Sequence, residues 1–97
     1  MATYIALSRF TDQGIRTIKD TTKRADAVQE AARKFGANIT QIYWTLGQYD
    51  LVTILDAEDE QTATAFALAI ASAGNIRMET MRAFSRDEMN AILGKVP

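Results

Sequence analysis

The chain predicts an α+β fold with the ferredoxin-like element order β-α-β-β-α-β, followed by a short C-terminal helix. Three observations carry that expectation. Four short segments are rich in β-branched and aromatic residues, two longer segments repeat apolar residues at helical spacing, and the second and third strand segments follow each other closely around Gly47. Right-handed crossovers then place both long helices on one face of a four-stranded antiparallel sheet. The 97 residues suit one domain, taken as residues 1–97.

Each element has a local cause. Thr3 to Phe10 is a run of strand formers, and Thr11-Asp12-Gln13-Gly14 interrupts it with turn residues. From about Thr22, Ala25, Val28, Ala32 and Phe35 fall on one helix face, and Gly36 follows as a natural terminator. Ala37 to Leu46 reads as the second strand, Gly47-Gln48-Tyr49-Asp50 as a connection, and Leu51 to Leu55 as the third strand, so the pair forms a hairpin. Glu58, Asp59 and Glu60 stand where the next helix begins and complement its dipole. Ala63, Phe66, Ala67 and Ile70 make that helix's apolar stripe, which ends near Gly74-Asn75. Ile76 to Phe84 alternates as a fourth strand, and Ser85-Arg86-Asp87-Glu88 has the form of a capping box. Behind it Met89, Ile92, Leu93 and Val96 line one face of the terminal helix.

Composition narrows the chemistry. The chain has no His and no Cys, so a His general base, a thiolate nucleophile, a Cys/His zinc site and a haem held by either residue are excluded. No metal site and no cofactor is expected. Of the 46 apolar residues 16 are Ala, against 18 Ile, Leu and Val together, so the internal core is thin and an oligomer interface would supplement it. A net charge of −1 argues against a nucleic-acid partner. The third strand also lacks the basic-Gly-aromatic pattern of an RNA-stacking platform. No stretch suits a membrane span or a signal peptide, so the expected location is the cytoplasm.

Strand alternation sorts the sheet residues into two sets. Ile5, Leu7, Ile42, Trp44, Val52 and Ile54 form the consistently apolar set and are expected beneath the helices. The complement, Tyr4, Ala6, Ser8, Phe10, Gln41, Tyr43, Thr45, Leu51, Thr53 and Leu55, is expected on the uncovered face. That set is too apolar for free solvent and too polar for a plain core. It suits sheet-to-sheet packing between copies, or paired sheets enclosing a cavity with polar contacts.

The hairpin Ile42-Tyr43-Trp44-Thr45-Leu46-Gly47-Gln48-Tyr49-Asp50, followed by Leu51-Val52-Thr53-Ile54-Leu55, resembles the signature of the GYD domain family, with Gly47, Tyr49 and Asp50 as the motif residues. The opening (Tyr4-Ile5, then Phe10 through Arg16, then Lys19-Asp20-Thr21) and the tail (Gly74 to Arg77, then Arg82 to Ser85 and Glu88-Met89) resemble it too. The resemblance covers essentially the whole chain. It implies an architecture of the dimeric α/β-barrel type, in which two sheets pack face to face, and it names no reaction.

No constellation amounts to a catalytic site. The candidate ligand-binding residues are Tyr4 and Tyr43 on the expected open face, Tyr49 and Asp50 in the hairpin motif, and Arg77 on the fourth strand. Asp50 reads first as a carboxylate that accepts backbone N–H bonds and stabilises the turn. Arg77 and Glu79 share a strand face and are expected to pair. The reading is a non-enzymatic homo-oligomeric module, sensing a small molecule or mediating assembly, whose partners are itself and a small-molecule ligand. The alternative is a cofactor-light enzyme of the dimeric α/β-barrel type, with Tyr43, Tyr49 and Asp50 as its proton-transfer or orienting groups.

Overall fold

The computed structural model describes residues 1–97. The elements are β1 (Ala2–Phe10), α1 (Asp12–Arg16), α2 (Thr21–Lys34), β2 (Asn38–Trp44), β3 (Leu51–Ala57), α3 (Glu60–Ser72), β4 (Ile76–Ala83) and α4 (Arg86–Leu93). The strands form one antiparallel sheet in the order β2-β3-β1-β4, with the two halves interleaved as the β-α-β-β-α-β order requires. The strand and long-helix boundaries agree with the sequence reading to within about two residues.

The segment expected to be a turn, Thr11 to Gly14, instead opens the short helix α1. The Thr11 hydroxyl accepts the Gly14 N–H as an N-cap and donates to the Gly74 carbonyl, which ties α1 to the turn before β4. Gly14 is buried there, and a Cβ on it would overlap the Asn75 carbonyl oxygen. Turn-forming residues served as a helix start because Thr and Asp favour N-cap and first-turn positions as strongly as turns.

The larger correction concerns the faces of β1 and β3. Tyr4, Ala6 and Ser8 lie beneath the helices, together with Thr53, Leu55 and Ala57. Tyr4 is only 4% exposed. Ile5, Leu7, Val52 and Ile54 point to the uncovered side, as the pairs Ile5–Ile54 and Leu7–Val52 require. Tyr4 and Leu55 fill this layer together with Phe66 and the small residues Ala32, Ala37, Ala57 and Ala63. With Tyr4 packed there, strand alternation sends Ile5 and Leu7, and their partners Val52 and Ile54, to the other face.

Strand β2 keeps the expected faces because of a bulge. Ile39 pairs with Leu55 and Gln41 with Ile54, so Thr40 is the extra residue and its hydroxyl donates to the Ile54 carbonyl. Beyond the bulge Ile42 and Trp44 face the helices, while Gln41 and Tyr43 face outward. The core centres on Tyr4, Ile39, Leu55 and Phe66, with the Phe66 ring 5.7 Å from that of Phe35.

Helix α4 has the predicted capping box. The Ser85 hydroxyl accepts the Glu88 N–H at 3.1 Å, and the Glu88 carboxylate accepts the Ser85 N–H at 2.9 Å. Its other anchor is the Arg82–Glu88 ion pair at 3.1 Å, and Met89, Leu93 and Val96 remain exposed.

Candidate functional site

The uncovered sheet face has an apolar centre and a polar margin. Two neighbouring rows cross all four strands: Gln41–Ile54–Ile5–Met81 and Tyr43–Val52–Leu7–Glu79. Ile5, Leu7, Val52, Ile54 and Met81 thus form a continuous aliphatic block that no element of this chain covers. Thr3 and Asp56 close one end, where the Thr3 hydroxyl donates to the Asp56 carboxylate at 2.8 Å.

The other end is held by the hairpin motif. The Arg9 guanidinium lies 4.6 Å from the Tyr49 ring centroid, and its Nε donates to the Gln48 carbonyl at 3.1 Å. Glu79 joins them, accepting the Tyr49 hydroxyl at 3.1 Å and standing 3.5 Å from Arg9 Nη1. Arg9 and Glu79 are each about half exposed, so their pairing contributes roughly 1 kcal/mol or less. What the cluster fixes is geometry: the Tyr49 ring is clamped between a cation and a carboxylate beside the aliphatic block.

Asp50 works on the backbone. Its carboxylate Oδ2 accepts the Phe10 N–H at 2.9 Å, and its own N–H donates to the Ser8 carbonyl at 2.8 Å. Thr45 completes the turn, its N–H donating to the Asp50 carbonyl and its hydroxyl to the Tyr49 carbonyl. Gly47 at φ +125° supplies a backbone conformation that residues with a Cβ adopt only with strain.

Tyr43, Tyr49 and Arg77 therefore belong to the open face or its edge, with Asp50 securing the loop that carries Tyr49. Tyr4 does not join them. It lies across the sheet, its hydroxyl buried without a hydrogen-bond partner and its ring 5.8 Å from the Arg82 guanidinium. Glu79 turns to Arg9 and Tyr49, and Arg77 makes no ion pair; Arg77 faces Arg9 across the β1–β4 ladder. Arg9 is the member of the cluster that sequence reasoning missed. Its place two residues beyond Leu7 would have revealed it had the β1 faces been read correctly.

Asp59 and Glu88, both at helix starts, have carboxyl groups held below their ordinary range: Asp59 through the Thr62 backbone N–H, and Glu88 through the Ser85 backbone N–H and then Arg82. Neither belongs to the open face. The arrangement there suits contact: an apolar patch that binds by burial, with aromatic, cationic and anionic groups at its margin that orient what it meets. No helix is long and apolar enough to cross a membrane.

Three comparisons relate the chain to known proteins. The family model described as GYD domain matches residues 4–93. A Thermus thermophilus protein named "Glutamine synthetase and cystathionine beta-lyase binding protein" is 38% identical over 84 residues, covering 86% of this chain and 88% of its own. The crystal structure of TTHA0845, also from Thermus thermophilus, superposes with a TM-score of 0.57 at 25% identity, over 88% of this chain and 95% of that one.

Proposed function

Because the chain belongs to the GYD domain family, we propose that it is a non-enzymatic, homo-oligomeric partner-binding module whose sheets pack face to face. The carrying observation is the aliphatic block of Ile5, Leu7, Val52, Ile54 and Met81, set on an otherwise uncovered sheet and bordered by Tyr43, Arg9, Tyr49, Glu79 and Arg77. An apolar centre inside a polar margin is the anatomy of a protein interface. The thin alanine-rich interior points the same way, since a small core gains most from burying a second apolar surface. Two copies would share the aliphatic block. Tyr43, Tyr49 and Arg77 would lie at its margin, where a client protein or a small molecule can reach them, and Asp50 would hold the hairpin that carries Tyr49.

The relative's name supports enzymes as clients: a glutamine synthetase and a cystathionine β-lyase of the same organism are the first partners to try. The test is sedimentation equilibrium of the wild-type chain and Leu7→Lys, paired with binding of both purified enzymes. The expected result is a wild-type dimer or larger that binds at least one enzyme, with Leu7→Lys folded and monomeric. A folded wild-type monomer overturns the oligomer, and failure of the intact protein to bind either enzyme overturns the proposed clients.

A further inference from the structure

A second feature lies on the opposite side of the sheet. Helices α2 and α3 leave between them a hollow of about 330 Å³, walled by Val28, Ile42, Trp44, Leu51, Ile70 and Ile76. This volume falls at the small end of the range for small-molecule pockets. Four polar residues line it: Thr21, Arg24, Thr53 and Asn75. The Thr21 hydroxyl accepts the Trp44 indole N–H at 3.0 Å and so orients that ring in the wall.

Arg24 is half-buried and has no carboxylate partner; the ion pairs of the chain are Arg9–Glu79, Arg33–Glu30 and Arg82–Glu88. Its guanidinium donates to the Thr17 carbonyl at 2.8 Å, the Thr17 hydroxyl at 2.7 Å and the Gly14 carbonyl at 3.1 Å. These bonds hold it in place and leave Nε–H and one Nη2 hydrogen unused. Asn75 accepts Gln13 Nε2 through Oδ1 at 3.1 Å, and its Nδ2 donates to nothing. Gly14 brings the two together: its carbonyl takes the Arg24 bond, and its Cα lies so close to the Asn75 carbonyl that a Cβ would not fit. The hollow therefore has a polar end with spare donors and an apolar body.

Arg24 lies one turn into α2, makes no ion pair with the N-cap residue Asp20, and bonds only to neutral oxygen acceptors, so its charge has no carboxylate counterpart within the chain. We propose that the hollow binds a small amphiphilic carboxylate, its tail among Val28, Ile42, Ile70 and Ile76 and its head on Arg24 and Asn75. A fully hydrated inorganic anion gains nothing from apolar walls, and a neutral apolar molecule leaves Arg24 unpaired. The planar guanidinium with donors to spare matches a carboxylate.

Trp44 is the only tryptophan of the chain and forms part of the wall, so its fluorescence reports occupancy. The experiment titrates the full-length protein, in its native oligomeric state, with octanoate and with octanol. The expected result is saturable binding of octanoate, weakened about tenfold or more by Arg24→Gln, with octanol affinity unchanged by that substitution. Ala69→Leu, at an exposed lining position, fills the hollow and is expected to block octanoate in a protein that still folds. No saturable response, or octanoate binding indifferent to Arg24→Gln, overturns the proposal. So do intermolecular contacts to the Ile42 or Ile70 methyls in a mixed-labelled sample, which place a second copy of the chain in the hollow.

Discussion

The Asp50 carboxylate accepts the backbone N–H of Phe10 at 2.9 Å, fastening the β2–β3 hairpin to the far end of β1 across 40 residues of sequence. The bond satisfies a donor just where β1 leaves the sheet. Asp50→Ala removes it and leaves that N–H without its partner. The expected loss is about 1–3 kcal/mol in urea denaturation. Asp50→Asn keeps an acceptor oxygen and is expected to lose less.

Gly14 lies against the Asn75 carbonyl with no space for a side chain. Gly14→Ala must push α1 away from the turn before β4, an overpacking cost of about 1–3 kcal/mol. Gly36 has open space where its Cβ would be but a φ of +78°, so Gly36→Ala carries backbone strain alone. Thermal melts of the two variants, compared by Tm, separate crowding from strain, and Gly14→Ala is expected to be the less stable.

Tyr4 buries a hydroxyl that has no partner. Removing an unsatisfied buried donor removes its desolvation penalty. Tyr4→Phe is therefore expected to stabilise the protein by about 1 kcal/mol and to raise its Tm. A loss of stability of that size would mean that the hydroxyl has a partner in solution.

The face assignments show what sequence could and could not supply. Element order, both long helices, the hairpin and the capping box at Ser85 and Glu88 follow from local spacing, and local spacing is what those elements obey. Which face of β1 meets the helices depends on residues distant in sequence, since Tyr4 shares its cluster with Leu55, Ala63 and Phe66. Ile5 and Leu7 look like core residues by hydropathy, yet Ala6 and Ser8 are the ones that fit under the helices. Tyr49 and Asp50 were legible through their motif. Arg9 was missed along with the face of β1, on which it follows Leu7, while its pairing with Gln48, Tyr49 and Glu79 joins distant parts of the chain. The bulge at Thr40 left no sequence signal of its own.

Glu88 binds the Ser85 N–H and Arg82 as a carboxylate, so its folded-state pKa lies below its ordinary value. A depressed carboxyl pKa stabilises the folded form above the ordinary carboxylate range, and that contribution fades as pH falls toward the depressed value. Amide hydrogen exchange, corrected for its intrinsic pH dependence, is expected to show α4 opening first as acid is added. Glu88→Gln is expected to remove that pH dependence within α4 while leaving the protection of the sheet unchanged.

Ala32 and Ala57 have no exposed surface at all, and Ala37 and Ala63 are each 3% exposed. Substitutions that enlarge any of the four must move a helix or a strand, so inherited change at these positions is confined to very small side chains. The aliphatic face across the sheet carries no such restriction within a single chain. What limits that face is the surface that covers it: where two copies meet through it, every change is met by its own duplicate on the facing copy.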